Sequence, residues 1–70
     1  MQGYDKLGPY GQKVFNKTHK LHLVAMGTEE RKYYERNQVS TVKANNKEKC
    51  IEVIFKNGEL FKYTPNYTWY

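Results

Sequence analysis

The chain holds two histidines, one cysteine and seven acids, and their spacing decides what chemistry they could do. A zinc centre wants three or four ligands, and beyond His19 and His22 only Cys50 and Asp5 are plausible additions. Two residues three apart share a face on a helix but point to opposite faces on a strand. The run His19 to Met26 alternates Leu21, Leu23 and Ala25 with His22, Val24 and Met26, which predicts a strand. On that reading the histidines cannot chelate one ion. Cys50 stands in a β-branched run with Ile51 and Val53, so it reads as a small buried hydrophobe rather than a nucleophile, which would need an adjacent base. The acids Glu29, Glu30 and Glu35 are interleaved with Arg31, Lys32 and Arg36, the pattern of a solvated face rather than a carboxylate pair. Gly8-Pro9-Tyr10-Gly11 lacks the lysine and the strand-to-helix context of a phosphate loop. No enzyme and no cofactor are expected.

Basic residues interleaved with aromatics remain. Lys56, Phe61, Lys62, Tyr63, Tyr67 and Trp69 crowd the carboxyl-terminal third, and Lys13, Lys17 and Lys20 surround Phe15. The candidate contact residues are Tyr63, Tyr67, Trp69, Tyr70, Lys56 and Lys62. On a β-surface such a set suits a single-strand binder, in which rings stack bases and lysines release counterions. The competing reading spends a third to a half of these rings on the core and leaves the lysines as the wet side of the strands. In that reading Trp69 folds back as a lid over Ile54 and Leu60.

A net charge of +5 and a pI of about 9.4 favour an acidic macromolecule as partner. Ten of the twelve basic residues are Lys, so bidentate readout by Arg is poorly supplied and any nucleic-acid contact should follow the backbone. Two functions compete. The first is a small binding protein of the phage or mobile-element type that modulates or inhibits a host protein, because a short chain without catalytic motifs fits that type. The second is a sequence-nonspecific module for single-stranded nucleic acid. A chain of 70 residues buries only about 60% of its unfolded surface, so a homodimer would add stability. There is no amino-terminal apolar leader and no run long enough to span a membrane, and a lone cysteine fits a reducing compartment. A cytoplasmic protein without membrane contact is expected.

The elements that must position these residues are clearest at the end of the chain. Cys50 to Thr64 reads as two strands around Asn57-Gly58, residues that tolerate the positive φ of a tight reversal. A three-residue loop, Lys56-Asn57-Gly58, sets Val53 opposite Phe61, Ile51 opposite Tyr63 and Glu52 opposite Lys62, the last as an ion pair. A further strand is expected from Val39 to Ala44. Thr28 is placed to cap a two-turn helix over Glu29 to Arg36, with Asn37 as its left-handed stop. Residues 1–11 read as an irregular arm from which Tyr4 or Tyr10 docks on the core. Gln12 to Asn16 is too short to assign. Residues 66–70 form an aromatic tail beyond Pro65. The fold expected for the single domain 1–70 is α+β and β-dominated: a curled antiparallel sheet, or an SH3- or OB-like barrel, of four to five strands with one short helix.

Overall fold

The computed structural model describes residues 1–70. A 3₁₀ turn, Asp5–Leu7, leads into a helix of 17 residues, α1, Gly8–Val24. One further helical turn, α2, Thr28–Arg31, and a 3₁₀ turn, Arg36–Gln38, connect it to three antiparallel strands: β1, Val39–Asn45, β2, Cys50–Phe55, and β3, Leu60–Tyr63, in the order β1-β2-β3. The fold is α+β, with one long helix laid across one face of an open sheet. The sheet does not close, so the barrel is not formed, and the helix rules out β-dominance.

The strand expected from Leu21 to Met26 is instead the end of α1 and its C-cap. The residues α1 buries are Val14, Phe15, Thr18, His19 and His22, a stripe at helical spacing. Three of those five are Thr or His, so a count of apolar residues alone misses the stripe and finds the alternation of Leu21 and Leu23, side chains that α1 leaves partly or largely in water. Pro9, which looked like a breaker, lies in the first turn, where its missing N–H has no intrahelical partner to lose. The irregular arm is therefore shorter than residues 1–11. As expected, one of its tyrosines docks: Tyr4 packs edge-on to Phe15 at 5.9 Å, whereas Tyr10 is 67% exposed.

The second helix is also shorter than expected, and Gly27 rather than Thr28 precedes it, without a side-chain cap. Two isolated turns are marginal. Here the chain leaves the helix so that Tyr34 packs against the core and its carbonyl accepts a hydrogen bond from His19 Nε2 at 2.7 Å. Asn37 lies in the second 3₁₀ turn and does not take a left-handed conformation.

The closing hairpin has the expected register, with Ile51 paired to Tyr63, Glu52 to Lys62 and Val53 to Phe61. Gly58 sits at φ +90°, and the Phe55 N–H donates to the Glu59 carbonyl at 2.9 Å. The ion pair drawn from that register does not form. Lys62 Nζ donates instead to Glu48 Oε1 at 2.6 Å, and Glu52 Oε2 accepts from Asn45 Nδ2 at 3.1 Å. The β1–β2 turn brings Glu48 within reach, which strand register alone could not indicate.

Both sheet edges are covered. Gln2 bridges β1, donating to the Ser40 carbonyl and accepting from the Val42 N–H, each at 2.9 Å. On the opposite edge the chain reverses at Pro65–Tyr67, and Tyr70 exchanges both backbone hydrogen bonds with Lys62. Such cover blunts the pairing hazard of a free edge. Between these edges Val14, Phe15, Val39, Val42, Ile51, Val53, Phe55 and Tyr63 form one core, each large apolar side chain contributing about 1.5–3 kcal/mol by burial.

Candidate functional site

Side chains along a strand point alternately to the two faces of the sheet, and here the two faces have separate fates. Val53, Phe55 and Tyr63 point toward α1 and are at most 1% exposed. Their neighbours Ile54 and Leu60, paired across β2 and β3, point the other way and are 41% and 51% exposed. No helix or loop covers them. Thr41 lies beside Ile54 across β1, and Lys43, Glu52 and Lys62 form the next row along the strands. Tyr70 extends that row, being hydrogen-bonded to Lys62 and 64% exposed, with the Lys62 ammonium 5.9 Å from its ring centroid. The result is an apolar pair bordered by a row of mixed charge, Lys43, Glu52 and Lys62, and one tyrosine. Lys62 is held protonated beyond its ordinary range, chiefly by its hydrogen bond to Glu48.

The six candidate contact residues do not form one surface. Tyr63 is wholly buried in the core. Trp69 pairs with Tyr63 across the tail reversal, so it shares Tyr63's face and stacks on His22, with ring centroids 5.0 Å apart. It folds back as expected, but on the helix side, and therefore leaves Ile54 and Leu60 bare. Tyr67 takes a left-handed φ of 62°, is half-buried, and lies under the Lys17 ammonium at 4.4 Å. Lys56 is exposed beyond the end of β2. Tyr70, Lys62 and Lys56 remain in water or at its margin, and Ile54 and Leu60 join them as residues that the candidate set omitted. Their signal was present in the hairpin register, which put both on the second face.

His19 and His22 share one buried face of α1. His22 Nδ1 is hydrogen-bonded to the Tyr63 hydroxyl at 2.8 Å, while His19 Nε2 donates to the Tyr34 carbonyl. Phe61 meets the His22 ring edge-on at 4.6 Å. Burial, reinforced by the neighbouring His19, lowers His22 to about 4; burial likewise lowers His19 and raises the Tyr63 hydroxyl. Both imidazoles are thus neutral near pH 7 and engaged in structural hydrogen bonds. No group of three or more His, Cys, Asp or Glu comes together in metal-binding proximity. Cys50 is buried, and burial, aided by Glu48, raises its thiol; a protonated, covered thiol is a poor nucleophile. No helix is long and apolar enough to cross a membrane. No protein-family model, curated protein or solved structure matches the chain.

Proposed function

We propose that the chain is a small non-enzymatic binding protein that modulates another protein by docking it on the outer face of the sheet. The observation that carries this reading is the bare cross-strand pair Ile54 and Leu60. Interfaces commonly place an apolar centre inside a polar rim, and a tyrosine at the margin supplies much contact area at small entropic cost. Lys43, Lys56, Lys62 and Tyr70 supply that rim. The fitting partner presents an apolar patch bordered by carboxylates, toward which a chain of net charge +5 is steered. The base-stacking alternative loses its platform, because Tyr63 is buried, Trp69 lies on His22 and Tyr67 lies beneath Lys17. Modulators carried by phages and mobile elements match this description in type.

The test is site-specific photo-crosslinking in cells that make the protein, with the crosslinker at Leu60 or, as control, at Val24 on the outward face of α1. The expected result is a discrete protein adduct from position 60 alone, lost when Ile54→Ser is combined with Tyr70→Ser. The same adducts from both positions, or none from position 60, would overturn the reading.

A further inference from the structure

A strand over part of residues 12–26 would split the lysines of this segment and give no continuous basic stripe. As one helix, the segment acquires such a stripe. Lys13, Lys17 and Lys20 recur at i, i+4 and i+7 on the face opposite the buried residues Val14, Phe15, Thr18, His19 and His22. Not one of the chain's seven acids lies within Gly8–Val24. The two ion pairs of the molecule, Lys32 with Glu29 and Lys62 with Glu48, involve none of these lysines. Lys13 and Lys20 thus have no charged partner, and Lys17 lies over the Tyr67 ring, which leaves its charge intact.

A fixed cation adjoins the stripe. Arg36 donates from Nη1 to Asn16 Oδ1 at 2.9 Å and lies 4.8 Å over the Tyr4 ring, while Asn16 Nδ2 donates to the Tyr4 hydroxyl at 2.8 Å. That hydroxyl is lowered from its ordinary range by the Asn16 hydrogen bond first and by Arg36 next. Between Tyr4 and the stripe runs an open furrow of about 770 Å³, lined by Gln12, Lys13, Asn16, Lys17 and Lys20 among others. No acid lines the furrow; Asp5 and Glu35 each line a separate concavity together with Arg36.

We infer that the outward face of α1 is a second binding site, one that tracks the phosphate backbone of nucleic acid through Lys13, Lys17, Lys20 and Arg36. From Lys13 to Lys20 the helix advances about 10 Å, the length over which one strand of B-form DNA presents about three phosphates. The contact is electrostatic and needs no base stacked on a ring; of the tail aromatics only Tyr67, beneath Lys17, adjoins it. It lies across the molecule from Ile54 and Leu60, and the two sites can be occupied together. An anionic lipid surface would demand a continuous apolar flank for insertion; here the outward apolar residues Tyr10, Leu21 and Val24 are divided between the two ends of the helix.

The test is fluorescence anisotropy of a labelled 20-nucleotide strand, and of its duplex, from 50 to 200 mM salt. Affinity for the duplex should fall on the order of 30-fold or more across that range, as about three phosphate contacts require. In Lys13→Gln/Lys17→Gln/Lys20→Gln the slope of log K against log salt should lose about two units or more, with circular dichroism unchanged. In Lys32→Gln/Lys47→Gln/Lys49→Gln, which removes the same charge outside both sites, it should change by less than one. Equal loss in both variants would overturn the inference by reducing it to net charge, as would no binding at 50 mM. Co-sedimentation with phosphatidylserine vesicles, with no oligonucleotide binding, would likewise replace it with a membrane surface. None of these outcomes bears on crosslinking at Leu60, so the two proposals fail separately.

Discussion

Phe55 and Ile54 are adjacent on β2, yet Phe55 is 1% exposed and Ile54 is 41% exposed. The inner face gathers Phe55, Phe61 and Tyr63 with Phe15, His22, Tyr34 and Trp69 into a continuous aromatic packing, ring centroids about 5 to 6 Å apart. The outer face holds two aliphatic residues, a row of charges and the terminal tyrosine. In so short a chain the core takes eight of the eleven rings, and what is left on the outer face is aliphatic and charged, with Tyr70 its one ring. Aromatic richness in the last third was therefore mainly a core signal, with Tyr70 the exception, and it drew attention away from Ile54 and Leu60.

The sharpest way to break this contrast is to truncate one residue on each face. Phe55→Ala should cost about 3–5 kcal/mol, since it removes a ring packed against Tyr34 and Phe61 and leaves a cavity. A domain of this size has little more to lose, so the variant should be largely unfolded without denaturant. Ile54→Thr, one residue away, should stay within about 0.5 kcal/mol of the parent. Urea titration followed by circular dichroism checks both. Comparable losses would mean that the outer face is covered in solution, by a second copy or by a rearranged tail.

The edges of the sheet extend the comparison, because they are where backbone rather than side chains fixes the geometry. Gly3 sits at φ +90°, and a Cβ built there would lie 2.1 Å from the Val42 carbonyl oxygen. Gly3→Ala should cost on the order of 2 kcal/mol, from the strained backbone and the displacement that relieves the clash. The cheaper relief is detachment of the arm from β1. Hydrogen exchange at Val42, whose N–H donates to the Gln2 carbonyl, should then rise well before global unfolding. Unchanged protection there would show that the arm adds nothing to that edge.

How much of this was legible in the residues follows from which signals are local. The hairpin register was, because Asn57-Gly58 and the alternation on either side leave few alternatives. The burial of Cys50 and the docking of one of the two arm tyrosines followed from composition and neighbours, though not that it is Tyr4 rather than Tyr10. Helix α1 was not, because three of the five residues on its buried face are Thr18, His19 and His22, and the histidines count as polar until their hydrogen bonds to Tyr34 and Tyr63 are seen. Those partners lie 15 and 41 residues away, and no window of the sequence contains them. The lysine stripe was lost with the helix, since spacing acquires meaning only once the period is known. Trp69 went to the wrong face for a related reason: its side is set by pairing with Tyr63 through a reversal at Tyr67, a residue that rarely takes positive φ.

The buried histidines offer the gentlest probe of the inner face. His22 is lowered by burial and by His19 to about 4, whereas an unfolded histidine titrates near 6.5. Between those values the unfolded chain binds more protons than the folded one, so stability is full above about pH 6.5, falls as the pH drops, and levels off below about 4. His19, also lowered, adds in the same direction. The groups facing His22 are His19, Tyr34, Phe55, Phe61, Tyr63 and Trp69, none of them a carboxylate that could offset the incoming charge. Trp69 is the only tryptophan and stacks on that ring, so its fluorescence reports the event directly, an imidazolium being a stronger quencher of indole than neutral imidazole. Quenching with a midpoint near 4, absent in His22→Gln, is expected while the far-ultraviolet spectrum is still folded. A midpoint near 6.5 would mean that the indole and imidazole stand in water, and the division between a spent inner face and an available outer one would fail at the tail.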